Sequence, residues 1–525
     1  MSKNNYLEVQ KAMEGIVRDA SRTIIFRNKS WYSTKSLPEM SDYIKRVDIN
    51  LDDVDGLNII HVSGTKGKGS VSAFCESILR ANGFKTGLYS SPHLVEFRER
   101  IRINGLTLTK DVFSKYFFDV YNKLESTKCE YPETMLSGFR FMTLMALNVF
   151  IHEKVDVVIL EVGVGGAYDC TNIVQSPRVV GITLLDLDHT NLLGNTIDSI
   201  AWHKAGICKP GRPAFTIPQV QEAMNTLRCR ANEIHATIQI VPDLDDYDWQ
   251  GKPMKLGLAG EHQRINASLA IQLCRTWIEE HNLHHSNKRA GFGRTNTYSM
   301  DGDIQTASAF KLPATFISGL RDCCLPGRTQ IVKHDNVTYY LDGAHTPMSM
   351  KAGVKWFKEA SAEEKQTLKN RVAKVLIFNV THGRDAKLLL EHLGQCNFAA
   401  TAFSPDITDV DDLVEKTFEN LVEELTICKE NRGTFQAMKG ELYDALPSKP
   451  TSASFVCAMH AVQWAACGKD PYIPHPRHKD PTPPQSIMEA DHVQVLVTGS
   501  LLLVGRVIGI LVPDFVANGN VFGGD

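Results

Sequence analysis

The sequence GTKGKGS, residues 64–70, lies between an apolar run and a helical pattern, and it decides the fold class of the first half of the chain. Before it, residues 57–62 predict a buried strand; after it, apolar residues recur at helical spacing from Val71 up to Gly83. Glycines let backbone N–H groups approach phosphate oxygens, the helix N-terminus adds partial positive charge, and Lys68 can bridge the terminal phosphates. The order of strand, glycine loop and helix therefore indicates a nucleotide-binding site.

This stretch departs from the standard phosphate-loop pattern at two places. Val62 stands where the first glycine belongs, and Gly69 stands where a hydroxyl residue normally follows the lysine, so that Ser70 comes one residue late. A glycine-rich turn with two solvated lysines would explain the same residues without any ligand. The loop alone leaves both interpretations open, and the rest of the chain has to decide between them.

The composition is that of an ordinary globular protein and favours small-molecule chemistry. The 525 residues are 43% hydrophobic and 22% charged, which predicts two or three domains with sizeable cores. The net charge of −3 lacks the excess of lysine and arginine that nucleic acid or an anionic membrane surface would require. Neither is therefore expected as a partner.

Cysteine spacing and the chain ends give no sign of a zinc site, a disulfide framework or a membrane anchor. The 12 cysteines include no Cys-x-x-Cys pair and only one adjacent pair, Cys323-Cys324. The opening residues MSKNNYLEVQKAMEG lack the pattern of a targeting peptide, and the apolar run 501–512 is too short to span a bilayer. We expect reduced thiols, no membrane insertion and a cytoplasmic protein; a mitochondrial form from a longer N-terminus stays open.

Beyond the loop, helical patterns alternate with apolar strands, which predicts an α/β fold. Helices are expected over residues 109–124, 136–152 and 196–208, and strands over 86–89, 155–160, 179–185, 338–341, 375–378 and 493–497. Strands that are apolar on both faces are typical of parallel sheets covered by helices on each side. The carboxyl ends of such strands should carry the ligands.

Two α/β domains are expected to meet near residue 325. The first, residues 1–325, contains a polar stretch at 285–308 that predicts a mobile insertion, and the second, residues 326–525, contains a proline-rich loop at 471–484. Clefts between domains are favoured places for small ligands, so the junction is a candidate wall of an active site.

Polar residues follow two strands of the first domain that we expect to be neighbours. Glu161 comes directly after the strand 155–160, and His189 belongs to the polar segment 186–190 after the next strand. A carboxylate at such a strand end suits a nucleotide-bound magnesium ion. Ser91 should reach the same edge, although serine also occurs in ordinary turns. Strand-end acids that cap helices are the alternative for each cluster.

Three further residues are ambiguous on this reasoning. The second domain opens with Arg328 and has Asp342 at a strand end, where the two could clamp phosphate and ribose or could be a surface arginine and a helix cap. Lys204, within a predicted helix, would ordinarily be a solvated surface lysine.

Eight segments together carry a resemblance to a known family. In chain order they are GTKGKGS, YSSPHL, EVGVGGAYDCTN, DHTNLLGNT, HKAGICKPG, GEHQRINA, PGRTQ and YLDGAHT. They closely resemble the folylpolyglutamate synthases of the Mur ligase superfamily, densely over residues 62–345 and again at 379–385 and 497–500. The resemblance implies an N-terminal P-loop ATPase-like Mur ligase domain, a smaller Rossmann-like α/β C-terminal domain, and an active site in the cleft between them.

The family implies an ATP-dependent ligase that joins L-glutamate to the γ-carboxylate of a folate and releases ADP and phosphate. A carboxylate is a poor electrophile, so ATP first converts it to an acyl phosphate, which the amine of glutamate then attacks. Catalysis then depends largely on charge neutralisation and positioning. Folates and L-glutamate are the expected partners, and a monomer is the expected state.

The resemblance also implies roles for individual residues. The expected nucleotide contacts are Gly67, Lys68, Gly69, Ser70, Asn266, Arg328 and Asp342, and the expected magnesium ligands are Ser91, Glu161 and His189. The expected catalytic residues are Lys68, Lys204 and His345, with Lys204 where relatives carry a carbamylated lysine. Manganese can replace magnesium in such a site, and a monovalent cation such as K+ is a further candidate cofactor.

Three other activities stay open. Dihydrofolate synthase uses the same fold, but Lys66 stands where relatives with that activity usually carry asparagine. A Mur-type cell-wall ligase fits less well, because the segments SSPHL and GAYDCTN resemble the folate branch. A nucleotide-dependent binding module or ATPase switch would ligate nothing, and the intact set Lys68, Glu161, His189 and Lys204 argues against it.

Overall fold

The computed structural model describes residues 4–24, 29–130, 137–285, 304–368, 371–380, 384–409, 418–442, 451–476 and 480–513. The chain divides into two compact units. The first comprises Met1–His93, Phe97–Gly257 and Gln263–Cys324; the second comprises Leu94–Glu96, Leu258–His262 and Leu325–Asp525. Two short segments from the first part of the sequence therefore belong to the second unit.

The described residues of the first unit build an eight-stranded sheet in the order β4-β3-β2-β5-β1-β6-β7-β8. Its strands are β1 (Ile60–Ser63), β2 (Thr86–Tyr89), β3 (Ile101–Ile103), β4 (Leu106–Thr107), β5 (Val157–Glu161), β6 (Val179–Ile182), β7 (Pro213–Thr216) and β8 (Thr237–Ile240). Strands β2, β5, β1, β6, β7 and β8 run parallel, and β3 and β4 extend the sheet antiparallel at one edge. The sheet is thus mixed, with a parallel centre.

Helices surround this sheet and bury its central strands. They are α1 (Asn4–Ile24), α2 (Lys29–Arg46), α3 (Leu51–Asp55), α4 (Lys68–Ala81), α5 (Lys110–Ser126), α6 (Gly138–Glu153), α7 (Thr190–Leu193), α8 (Ile197–Ala205), α9 (Gln221–Ile234), α10 (His262–His285) and α11 (Ala314–Arg321). Every residue of α6 from Arg140 to Phe150 is buried, as its nearly continuous apolar sequence requires. The side chain of Thr196 accepts a hydrogen bond from Ser199 N and so caps α8, the helix that carries Lys204.

Three expectations about the strands of this sheet are wrong. Strand β1 begins at Ile60 rather than at residue 57, because Asn58 has a φ of +53° and cannot continue an extended strand. Strand β6 ends at Ile182, three residues early, and β1 lies between β5 and β6, which are therefore not neighbours. The phosphate loop after β1 consequently stands between the two polar strand ends.

The described part of the second unit contains a six-stranded sheet in the order β13-β12-β11-β14-β10-β9. The strands are β9 (Gln330–His334), β10 (Val337–Leu341), β11 (Val372–Phe378), β12 (Ala400–Phe403), β13 (Thr451–Ser454) and β14 (His492–Thr498), and the helices are α12 (Pro347–Thr367), α13 (Ala386–Leu393), α14 (Phe418–Leu442), α15 (Ala458–Ala466), α16 (Gln485–Met488) and α17 (Leu501–Leu511). All pairings are parallel except the β9–β10 hairpin.

Strand β11 illustrates how this second sheet is covered on both faces. Val375 and Ile377 belong to the core that includes α15 and α17, whereas Leu376 and Phe378 belong to the core that includes α12 and α13. The alternation follows from the two-residue period of a strand. A continuous apolar run is therefore what a buried parallel strand needs.

Backbone hydrogen bonds hold the C-terminal end of the polar stretch at 285–308. The predicted mobile insertion lies outside the described residues except at its ends, and there Ile240 N donates to Gln305 O at 2.9 Å while Ala307 N donates to Ile240 O at 2.8 Å. Residues 305–307 therefore extend the edge of β8. The proline-rich loop is described except for residues 477–479.

The cysteine side chains and the hydropathy of the helices complete the description of the fold. All 12 cysteines are free thiols. Among the described helices, none combines the length and the apolarity that crossing a bilayer requires.

Candidate active site

The phosphate loop is fixed by backbone contacts to the segment that follows β6. Thr65 N and Lys66 N donate to Leu184 O at 2.9 and 3.0 Å. Gly67, with a φ of +92°, immediately precedes α4, and Lys68 is the first residue of that helix. The Nζ of Lys68 donates to Gly64 O at 3.1 Å, which closes the loop on itself. The N-terminus of a 14-residue helix thus stands at the centre of the sheet.

Side chains of α10 pack against this loop from a different part of the sequence. An alanine Cβ at Gly67 would lie 2.5 Å from Oδ1 of Asn266, so Asn266 is in close contact with the loop backbone. Asn266 donates to Oε1 of Gln263 at 3.0 Å, and Gln263 in turn donates to Oγ of Ser70 at 3.3 Å. The predicted contacts Gly67, Ser70 and Asn266 are therefore brought together, and Gln263 joins them.

Two of the three predicted magnesium ligands meet at the carboxyl end of β5. Glu161 is the last residue of this strand and is only 3% exposed. Its Oε2 accepts a hydrogen bond from Ser91 N at 3.2 Å. A carboxylate and a hydroxyl residue therefore lie side by side on one flank of β1.

His189, the third predicted ligand, lies on the other flank of β1 among charged residues. It precedes α7 with a φ of +51°, and its backbone N donates to Oδ1 of Asp188 at 3.0 Å. His189 is exposed to solvent, but partial desolvation by its neighbours lowers its pKa, and the positive charges of Lys204 and Lys68 lower it further against the opposing effect of Asp188. A lowered pKa favours the neutral imidazole, the form in which histidine binds metals.

Lys204 is not the solvated lysine that its sequence context suggested. It is 2% exposed, and burial lowers its pKa to about 7, with a further contribution from the charge of Lys68. Asp169 and Asp188 act in the opposite direction. Asp169 is itself held by Val164 N at 2.9 Å and by Thr171 N at 3.0 Å. The amine of Lys204 is therefore buried among two lysines and two aspartates.

Lys66 completes this group of charges. Its Nζ forms a salt bridge with Oδ2 of Asp188 at 3.2 Å. Burial lowers the pKa of Lys66, while Asp188 raises it. Lys66, Lys68 and Lys204, together with the imidazole of His189, form what we call the cationic cluster, named for its three lysines.

The second unit holds a separate group of predicted residues. Asp342 is 8% exposed and accepts hydrogen bonds from Thr329 N at 2.9 Å and Ala344 N at 3.0 Å. Burial raises its pKa, and the charge of Arg328 is the largest opposing effect. Burial lowers the pKa of His262, whose ring interacts with both Asp342 and Arg328. Arg328, Asp342 and His262 thus form one electrostatic group.

His345 lies three residues after Asp342, just before α12. Its Nδ1 forms a 2.7 Å hydrogen bond with Gly343 O, and its backbone N donates to Oγ of Ser349 at 3.2 Å. The ring is thereby oriented by its own turn.

Sequence reasoning missed the buried partners of these residues. Gln263 contacts Ser70, and the signal that could have found it is its position one helical turn before Asn266. Asp169 and Asp188 influence the charge on Lys204, but no local pattern connects residues that far apart in the chain. Only the folded sheet brings them together.

Comparisons with known proteins show which family the chain belongs to. The chain matches no family profile. It is 38% identical to the mitochondrial folylpolyglutamate synthase of Bos taurus over an alignment of 550 residues, which covers 97% of this chain and 92% of the relative. The family expected from the sequence is therefore confirmed.

Solved structures support the two-domain Mur ligase-like fold. A Mycobacterium tuberculosis folylpolyglutamate synthase complexed with ADP matches with a TM-score of 0.69 at 20% identity, covering 97% of this chain and 98% of that one. A bifunctional folylpolyglutamate synthase/dihydrofolate synthase with Mn, AMPPNP and L-glutamate bound gives 0.60 at 24% identity, covering 91% and 94%. From its sequence identity and fold, the chain belongs to the folylpolyglutamate synthase family.

Proposed function

We propose that this chain, an ATP-dependent ligase of L-glutamate and folate, works through an acyl phosphate on the γ-carboxylate and releases ADP and phosphate. Phosphorylation turns the carboxylate into an electrophile that the amine of glutamate can attack. The enzyme then mainly has to neutralise charge and position three substrates. The cationic cluster carries this proposal, because its three lysines next to a helix N-terminus suit a polyanionic nucleotide and an anionic folate tail.

The nucleotide phosphates bind, in this proposal, to the backbone N–H groups of the loop and to Lys68. Gly67, Gly69 and Ser70 supply the remaining loop contacts, and Asn266 lines it from α10. The close approach of Asn266 to Gly67 leaves no room for a Cβ, which is the property expected of a backbone cradle.

Ser91, Glu161 and His189 are the residues we propose to hold Mg²⁺. A carboxylate, a hydroxyl and a neutral imidazole form an acceptable donor set, and the Ser91–Glu161 contact and the lowered pKa of His189 support it. Bound there, Mg²⁺ would neutralise charge on the phosphoryl oxygens. Manganese could replace it, and K+ is proposed as an accessory monovalent cation.

Lys204 is proposed to be carbamylated. With a pKa of about 7, roughly half of its amines are neutral at pH 7, whereas an ordinary lysine would be neutral in roughly one molecule in 3,000. Only the neutral amine can add CO₂. The carbamate would place a negative charge within the cationic cluster and so relieve the repulsion between its lysines.

Arg328 and Asp342 are proposed to contact ATP, and His345 is proposed as a catalytic residue. Support comes from the burial of Asp342 beside the charge of Arg328 and from the fixed orientation of His345. We also propose a monomer that acts in the cytoplasm, with a mitochondrial form suggested by the mitochondrial relative. Light scattering and localisation of tagged chains test these two points.

Mass spectrometry of the products tests the activity. Purified protein receives ATP, magnesium, tetrahydrofolate monoglutamate and glutamate, with each component omitted in turn. Folates lengthened by successive glutamyl units in the complete mixture alone are expected. Conversion of dihydropteroate to dihydrofolate with tetrahydrofolate unchanged would point to dihydrofolate synthase, and ADP release without ligation would point to an ATPase switch.

Two substitutions test the residue assignments. Lys68→Ala should abolish ligation because phosphoryl transfer needs its charge, whereas the exposed Lys252→Ala serves as a matched control that should retain activity. Lys204→Ala should also lose activity, with partial rescue by short carboxylic acids if the lysine is a carbamate. Normal turnover of Lys68→Ala would refute the assignment of the loop, and normal turnover of Lys204→Ala would make that lysine structural.

A further inference from the structure

A second group of metal-binding side chains lies in the second unit, among residues that the proposed function does not use. A carboxylate oxygen of Asp409, Sγ of Cys457 and a ring nitrogen of His460 all lie within 4.8 Å of one another. Asp409 follows β12, Cys457 immediately precedes α15, and His460 belongs to the first turn of that helix. Because residues three apart are neighbours on a helix, Cys457 and His460 are on the same side of it.

His460 is held as a metal-binding histidine would be held. It is only 7% exposed, and its Nδ1 is 3.0 Å from Oδ1 of Asp480. The other ring nitrogen, Nε2, is buried and makes no hydrogen bond within the described part of the chain. A buried polar atom without a partner is costly and calls for an explanation. Histidines that bind metals commonly donate one ring N–H to a carboxylate and bind the ion through the other ring nitrogen.

Backbone hydrogen bonds fix the position of the segment that carries Asp409, the third residue of the group. Ala458 N donates to Ile407 O at 2.8 Å, and Met459 N donates to Thr408 O at 3.0 Å. These bonds attach the segment that ends at Asp409 to the start of α15. The three side chains are therefore carried by two backbone segments that are already joined, and little ordering remains to be done when an ion binds.

We propose that Asp409, Cys457 and His460 bind a zinc ion, with Asp480 as the positioning residue of His460. Thiolate and imidazole ligands favour zinc over magnesium or calcium. Tetrahedral zinc, with bonds of about 2.0–2.3 Å, separates its ligands by roughly 3.3–3.8 Å. Side-chain shifts of about 1 Å would therefore close the group around the ion, and a water molecule would fill the fourth position.

The burial of Cys457 argues for a structural ion rather than a nucleophile. Cys457, His460 and Asp480 have the residue types of a thiol–imidazole–carboxylate catalytic set. Cys457, however, is 0% exposed, so a substrate cannot reach its sulfur. A zinc ion would instead link the segment after β12, the start of α15 and the proline-rich loop that carries Asp480.

Cobalt binding to the full-length protein tests the proposal. Co²⁺ substitutes for zinc and gives a thiolate-to-cobalt charge-transfer band when a cysteine is a ligand. The magnesium ligands proposed above include no thiol, so the band reports only a site that contains cysteine. We expect one equivalent of Co²⁺ to produce the band, zinc to displace it, and zinc to raise the midpoint of thermal unfolding.

Substitutions distinguish the proposed zinc ligands from nearby residues that do not bind the ion. Cys457→Ser should lose the band, while Cys396→Ser, which alters another buried thiol of the same unit, should keep it. Asp480→Asn leaves all three ligands in place and should weaken Co²⁺ binding by about 10- to 100-fold, because the carboxylate orients the imidazole. Absence of the band in the unaltered protein, its persistence in Cys457→Ser, or unchanged affinity in Asp480→Asn would overturn the proposal.

Discussion

Replacing Gly64 by alanine tests whether close packing against Thr183, the residue after β6, and not only the backbone angle, fixes the phosphate loop. An alanine Cβ at this position would lie 1.8 Å from Oγ1 of Thr183 and 2.9 Å from its backbone N. Gly64 also has a φ of +141°. Backbone strain contributes about 1–3 kcal/mol, and overpacking contributes another 1–3 kcal/mol, roughly. We therefore expect Gly64→Ala to lower the free energy of unfolding by roughly 2–6 kcal/mol.

A matched variant separates the two contributions. Gly83 has a φ of +89°, but nothing lies within 4 Å of a Cβ built there, so Gly83→Ala should cost only the strain, about 1–2 kcal/mol. Adding Thr183→Gly to Gly64→Ala removes both clashing side-chain atoms and should recover about 1–3 kcal/mol as a coupling energy.

Urea denaturation of these three variants and of Thr183→Gly alone, without nucleotide, together with calorimetric titration with ADP, measures these effects. Gly64→Ala should also weaken ADP binding, because the loop must move away from Thr183. Equal destabilisation by Gly64→Ala and Gly83→Ala would refute the packing argument. The same conclusion would follow if Thr183→Gly recovered nothing.

Three further predictions concern buried groups of the first unit. Arg140→Met removes the cation that lies 2.5 Å from the buried carboxylate of Glu39. The free energy of unfolding, measured by urea denaturation, should fall by about 3–5 kcal/mol, and adding Glu39→Gln should recover part of this loss. Burial lowers the pKa of His61 to about 3. Between pH 6.5 and 3 the unfolded chain therefore binds more protons, and the unfolding free energy should fall with falling pH by up to about 1.4 kcal/mol per unit; a His61→Gln variant with the same slope would contradict this. Gly67→Ala should raise the Kd for ADP at least about tenfold, since its Cβ would lie 2.5 Å from Asn266, and an unchanged titration would argue against a close-fitting cradle.

The local signals in the sequence identified the elements that carry the site. Apolar periodicity and the glycine-rich stretch act over a few residues. They predicted the loop and α4, and they placed α8 within residues 196–208, where it spans Ile197–Ala205. The order of polar residues along the chain also picked out Glu161 and Ser91, which the structure joins by a hydrogen bond. Family membership followed from the same segments, because they are contiguous in the chain.

The order of the strands and the charge states of the buried groups were decided by tertiary structure. Sequence order suggested that β5 and β6 are neighbours, but β1 pairs between them, since strand pairing depends on contacts between distant residues. Lys204 has an ordinary helical context, and only the packing of α8 buries its amine near Lys68 and lowers its pKa to about 7.

The cysteines show most clearly what local sequence patterns predict and what only the tertiary structure decides. Their spacing predicted neither a disulfide framework nor a zinc site, because a search for paired cysteines finds only ligands close together in sequence. In the proposed zinc site, Asp409 is far from Cys457 and His460 along the chain. The sequence by itself therefore determined the fold class, the family and the phosphate loop, through local patterns; the fold decided which distant side chains meet and which of them lose contact with water, and so it set their protonation and their capacity to bind ions.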